Sequence, residues 1–282
     1  MDCGQIFRWK KDEGFWKGWL NGSRVEMRIE GDILQYRAKP PITEDMVVNF
    51  LTLDLDYMKI YDGLPRDETT STLIQRYRGL RILRQNPWEC SVSYIISASM
   101  SIRSINAILN RICWAAYPKQ EPSPFPTPQD FLKISPPRAN YLGKKWFYLA
   151  RLANILSSNP SFFKEFENLS YLDAWNKLVK GNEHIMGVGP KVADCVLLFS
   201  LNKFDAFPID RWVLRGLKKF YPRILEKFGK GGIHESKTLT VHTYASISES
   251  ARMYFGRYCG ILQESIFLAS RINDTSFLQC GL

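Results

Sequence analysis

Two periodicities divide this chain, and the switch between them limits the folds open to it. Up to about residue 40, apolar and polar residues alternate in short runs: Gln5-Ile-Phe-Arg-Trp9, Phe15-Trp-Lys-Gly-Trp-Leu20, Val25-Glu-Met-Arg-Ile29 and Ile33-Leu-Gln-Tyr36. Turn pairs such as Asn21-Gly22 and Gly31-Asp32 separate them. This is the pattern of an antiparallel meander with one apolar face. From about Thr43 the apolar spacing becomes helical. It predicts helices over 44–51, 69–77, 87–100, 102–114, 129–133, 145–156, 171–179 and 190–201, another from Asp210 to about Phe220, and one closing helix over 246–272. A sheet with one apolar face must be covered, and the helices are there to cover it. The expected class is therefore α+β. An antiparallel sheet domain with flanking helices (1–80) packs on a mainly α-helical domain (81–282), with a helix-hairpin-helix over about 171–201 and an aspartate loop over 205–210.

The segment from Tyr117 to Pro128 carries five prolines within eleven positions, so it reads as a connector and not a helix. The stretch 227–242, with Gly229, Gly231, Gly232 and two histidines, reads as a mobile surface loop or a DNA-contacting one. No apolar run reaches the roughly 18 residues of a membrane helix, and no signal-peptide pattern opens the chain. An intracellular protein is expected, in a prokaryotic cytoplasm or a eukaryotic nucleus. The six cysteines contain no C-x-x-C pair, so neither a zinc site nor an iron–sulfur cluster is indicated, and no cofactor or metal is expected. The formal net charge of +10 suits a polyanionic partner, because each neutralised phosphate releases counterions.

The chemistry concentrates in Ile185-Met-Gly-Val-Gly-Pro-Lys-Val-Ala-Asp-Cys195 and Phe207-Pro-Ile-Asp210. Gly187 and Gly189 bracket Val188; glycine permits positive φ and lets a phosphate approach the backbone. Pro190 suits the first helical position. The exposed N–H groups and the positive helix end, at Lys191 and Val192, then face an anion and grip the DNA backbone without reading sequence. Lys191, Cys195 and Phe199 recur at i, i+4 and i+8, on one helix face. Apolar neighbours and the positive helix end both disfavour an ammonium at Lys191, and an amine must lose its proton to attack. Asp210 suits a helix N-cap, and the same carboxylate would stabilise positive charge developing on a sugar.

These residues carry a resemblance. The chain resembles the 8-oxoguanine DNA glycosylase/AP lyases, the eukaryotic-type branch of the helix-hairpin-helix superfamily with an N-terminal sheet domain. Four segments match in order: Cys3-Gly-Gln-Ile-Phe-Arg-Trp9, Gly187-Val-Gly-Pro-Lys-Val-Ala-Asp-Cys195, Phe207-Pro-Ile-Asp210, and Gly260-Ile-Leu-Gln-Glu-Ser-Ile-Phe267. The resemblance implies that Lys191 attacks the anomeric carbon and forms a Schiff base, that β-elimination then nicks the strand, and that Asp210 supports the oxocarbenium-like transition state. It implies that the Gly4 carbonyl accepts the N7 hydrogen that 8-oxoguanine carries and guanine lacks. Cys195 and Phe267 would sandwich the flipped base, with Phe199 on the same helix face and Gln263 on the Watson–Crick edge. Where the family has an asparagine cluster, this chain has Ser99, Met100 and Ser101; where it has a tyrosine–arginine pair, this chain has Lys144 and Lys145. With Arg211, these complete the expected DNA-facing set, and Met100 would wedge the gap by bulk. The expected partner is double-stranded DNA containing 8-oxoguanine, bound by a monomer without a membrane. Alternatives at this point are a non-catalytic helix-hairpin-helix DNA binder, a glycosylase for another damaged base, and a protein-interaction scaffold with a basic face.

Overall fold

A computed structural model describes residues 3–98, 100–119, 122–135, 140–180, 185–228, 233 and 239–271. Strands β1 (Lys10–Asp12), β2 (Phe15–Leu20), β3 (Ser23–Glu30) and β4 (Ile33–Lys39) form an antiparallel meander in the order β1-β2-β3-β4. Asn21 and Gly22 both take positive φ and close the β2–β3 hairpin, with Leu20 opposite Ser23. That is the turn whose twist matches the strands it joins. The register sends Leu20, Val25 and Met27 to one face, where they pack with Trp9, Phe50 and Leu83.

Twelve α-helices follow among the described residues. They are α1 (Glu44–Phe50), α2 (Tyr57–Asp62), α3 (Glu68–Arg76), α4 (Pro87–Ser97), α5 (Ile102–Ala116), α6 (Pro128–Leu132), α7 (Lys144–Ser158), α8 (Tyr171–Val179), α9 (Pro190–Ser200), α10 (Arg211–Phe220), α11 (Val241–Phe255) and α12 (Cys259–Arg271). The α+β class expected from the sequence is the fold observed. None of these helices is long and apolar enough to cross a membrane. The largest apolar core runs through α4, α5, α7, α8 and α9. A second joins α3, α10, α11 and α12. Helix α9 packs on α4, and α12 on α10, so the two cores meet at the motif helix and the aspartate loop.

Two expectations are corrected, and one helix is added. Gln5–Trp9 is not a strand, because its side chains are recruited elsewhere. Gln5 is fully buried against the segment before α4, and the Trp9 ring lies flat over Gly18, where an added Cβ would sit 2.2 Å from it. The single closing helix is two, α11 and α12, broken at Gly256 with φ +77°. Helix α2, short and capped by Asp56, escapes the periodicity reading altogether. Of the stretch 227–242, residues 229–232 and 234–238 lie outside the described residues, and α11 starts at Val241, inside its end.

Candidate active site

The hairpin is built as its sequence suggests, with the two glycines doing different work. Gly187 takes φ +84°, and a Cβ there would meet Tyr148 Cδ2 at 2.6 Å. Gly189 is extended, at φ −89°, and has open space where a side chain would be. It caps α9, Pro190 occupies the first turn, and the first intrahelical bond runs from Ala193 N–H to the Gly189 carbonyl at 2.9 Å. Helix geometry leaves the Lys191 and Val192 N–H groups without an intrahelical acceptor, pointing at the exposed turn. The Val192 side chain itself is buried in the core, so any contact it makes outward is through its backbone.

Lys191 projects from that first turn onto α4. Its Nζ lies 5.2 Å from the centroid of the Tyr94 ring and 3.4 Å from Ser97 Oγ. The ring face is a favourable seat for a cation. One turn deeper, Cys195 is buried, and burial pushes its thiol up to about 12, so it is a neutral, polarisable surface. Another turn deeper, Phe199 stacks on the same tyrosine, with ring centroids 5.6 Å apart and planes at 16°. The face predicted from i, i+4 and i+8 is real, but it runs inward: Phe199 supports Tyr94 from within the core.

Asp210 ends the aspartate loop as the N-cap of α10, accepting the Val213 N–H at 2.8 Å. Desolvation raises its carboxyl pKa; the Val213 N–H and the nearby Lys191 charge act the other way. An amine and a carboxyl that feel each other across two helix starts are what a nucleophilic displacement at a cationic carbon requires.

The third wall comes from the chain's first residues and its last described helix. Gly4 takes φ +91°, and a Cβ there would lie 3.1 Å from Phe267 Cε1, so ring and glycine are already in contact. Gln263 is 3% exposed, and its Oε1 has no hydrogen-bond partner among the described residues. Gly4 is held from its neighbour. Gln5 Oε1 accepts the Leu83 N–H, Gln5 Nε2 donates to the Arg81 carbonyl, and the Gln5 carbonyl accepts from Tyr94 Oη at 3.1 Å and Gln85 Nε2 at 2.7 Å.

Met100, 40% exposed, follows α4, while Ser99 lies outside the described residues. Lys144 and Arg211 are exposed. Lys145 turns inward instead. Its Nζ donates to the Ile96 carbonyl at 2.7 Å, tying α7 to the C-terminus of α4, and burial lowers its pKa.

Sequence reasoning missed a buried polar cluster behind the site. Asp194, fully buried on α9, accepts from Tyr171 Oη and Tyr244 Oη, each at 2.7 Å. Tyr244 Oη also accepts the Ile209 N–H at 3.1 Å, and Arg252 donates to Tyr171 Oη at 3.1 Å. An aspartate on the core face of a helix was a signal in itself, since charged residues are rarely buried without partners.

Residues 1–90 match the family described as 8-oxoguanine DNA glycosylase, N-terminal domain. An N-glycosylase/DNA lyase of Arabidopsis thaliana is 25% identical over 291 residues, covering 98% of this chain and 77% of the relative. One from Saccharomyces cerevisiae is 27% identical over 265 residues, covering 78% and 67%. The crystal structure of the 8-oxoguanine glycosylase/lyase of Clostridium acetobutylicum, bound to double-stranded DNA with cytosine opposite 8-oxoG, superposes with a TM-score of 0.78 at 27% identity. That match covers 97% of this chain and 90% of the other.

Proposed function

We infer that this chain, a member of the 8-oxoguanine DNA glycosylase/lyase family, is a bifunctional DNA N-glycosylase and abasic-site lyase that excises 8-oxoguanine from duplex DNA. The observation that carries the reading is the pairing of Lys191, over the Tyr94 face, with Asp210 at the start of the next helix. In this reading the phosphate backbone sits on the Gly187–Gly189 turn and the start of α9. Lys144 and Arg211 add charge at the rim, and Met100 fills the gap that the flipped nucleotide leaves.

The flipped base enters between Cys195 and Phe267, whose ring lies beside Gly4. Gln263 Oε1 then gains a donor from the base, and the Gly4 carbonyl accepts the N7 hydrogen. Guanine, which lacks that hydrogen, leaves a buried carbonyl facing a lone pair, an expensive mismatch. Neutral Lys191 attacks the anomeric carbon as the base leaves, and the Asp210 carboxylate offsets the positive charge on the sugar. The resulting Schiff base acidifies the neighbouring C2′ hydrogen, whose loss expels the 3′ phosphate and nicks the strand. Phe199 and Lys145 serve indirectly, the first behind Tyr94 and the second at the end of α4. We also propose the division near residue 80, supported by the separate apolar cluster under the sheet. One flipped base needs one pocket, which favours a monomer, and the cysteine spacing, with no C-x-x-C pair, speaks against an iron–sulfur cluster.

The test is borohydride trapping on duplexes with one 8-oxoguanine opposite each of the four bases in turn. A covalent adduct that disappears in Lys191→Gln, with DNA binding retained, is the expected result. Nicking that survives Lys191→Gln overturns the assignment of the nucleophile.

A further inference from the structure

The residue after Gln263 has no part in the chemistry above, and it is oddly placed for a glutamate. Glu264 is 3% exposed on α12, and its Oε1 is buried with no hydrogen-bond partner among the described residues. The Cys3 thiol, next to Gly4, and the Asp210 carboxyl are both close enough to act on it. Cys195 on α9 and Tyr94 on α4 both lie within its electrostatic range, as does Arg271 on its own helix. It therefore stands among the glycine that would read the base, the thiol that would face it and the carboxyl that would serve the sugar. A buried acceptor without a partner is costly and needs an explanation. A core of the same shape would be better served by an apolar residue.

The geometry points to Glu264 as a further specificity-determining residue of the base pocket, whose carboxyl Oε1 takes its missing hydrogen bond from an N–H of the flipped purine. The inference rests on the function proposed above. Two adjacent residues of α12, Gln263 and Glu264, each present an oxygen with no partner, and 8-oxoguanine is rich in N–H donors. Burial, reinforced by the Asp210 charge, pushes the Glu264 carboxyl up to about 8, so at neutral pH it is protonated. It thus avoids placing a second full negative charge beside Asp210. Above that pH it ionises, and the pocket acquires a charge that its closed geometry is poorly suited to hold.

The experiment compares wild type, Glu264→Ala and Glu264→Gln on two DNAs: a duplex with 8-oxoguanine, and the same duplex with a preformed abasic site, which has no base to contact. In single-turnover reactions at pH 7, Glu264→Ala should excise about ten-fold more slowly, the loss of one buried hydrogen bond. Nicking of the abasic duplex should fall much less. Glu264→Gln, which keeps a neutral hydrogen-bonding group, should stay closer to wild type. Wild-type excision should fall above about pH 8 and that of Glu264→Gln should not, and this profile carries the test if the alanine variant folds poorly. Equal excision by all three proteins, or equal loss in both reactions, overturns the inference and leaves the glycosylase reading intact. A wild-type protein that nicks abasic DNA but leaves 8-oxoguanine in place overturns both.

Discussion

Tyr244 joins the two halves of the active site to each other. Its hydroxyl donates to Asp194 Oδ2 at 2.7 Å and accepts the Ile209 N–H at 3.1 Å. Asp194 is three residues along α9 from the amine, and Ile209 is the residue before the carboxyl, so one hydroxyl fixes the helix of Lys191 against the loop of Asp210. Removing it with Tyr244→Phe leaves a buried N–H unsatisfied and takes one of two tyrosine donors from a buried carboxylate. The expected cost is about 1–3 kcal/mol of stability, measured by urea unfolding. Excision should slow while DNA affinity holds, because the Gly187 turn is untouched.

Asp210 has two roles that substitution can separate. Asp210→Asn keeps an oxygen able to accept the Val213 N–H, so thermal stability should barely move, while excision should fall roughly a hundred-fold or more with the lost charge. Asp210→Ala should add a stability loss of about 1 kcal/mol for the missing cap. An Asn variant that excises at the wild-type rate would reduce Asp210 to a cap.

Gly187→Ala puts a methyl group against Tyr148 in a left-handed conformation. It should cost on the order of 1–3 kcal/mol and weaken binding to damaged and undamaged duplexes alike, since the turn would contact only backbone. Titrations of both DNAs at fixed salt test this. Loss confined to damaged DNA would place the turn in the base pocket instead.

Stability should fall as pH rises across the mildly acidic to neutral range. Asp194 is raised to about 6 and Glu264 to about 8, both by burial first. Each therefore binds its proton more tightly folded than unfolded. Their contribution is complete below the ordinary carboxyl range and is lost as pH rises through the folded values. Thermal melts from pH 4.5 to 8.5 should show a declining midpoint, with a shallower decline in Glu264→Gln. An identical slope in the two proteins would mean that Glu264 is not the group being titrated.

The parts of this site that were legible in the sequence are those set by neighbours along the chain. The glycine turn, Pro190, the amine one residue later and the capping aspartate each follow from local backbone requirements. The closing break at Gly256 was equally local and went unread because the apolar spacing continues across it. What could not be read were the partnerships between distant segments. Leu83 donates to a glutamine 78 residues earlier, and Tyr244 reaches an aspartate 50 residues before it. Helical spacing put Phe199 on the face of Lys191, but nothing local says that this face turns into the core to meet Tyr94.

Tyr94 serves two parts of the site at once: its ring carries the Lys191 amine and the Phe199 ring, and its hydroxyl holds the carbonyl next to Gly4. The nucleophile and the group that would judge the base are thus referenced to a single rigid body. A displacement of that ring shifts both together, so errors of aim and errors of judgement are correlated. A lineage adjusting its discrimination through this residue would pay in speed, and fidelity and turnover would drift as one trait.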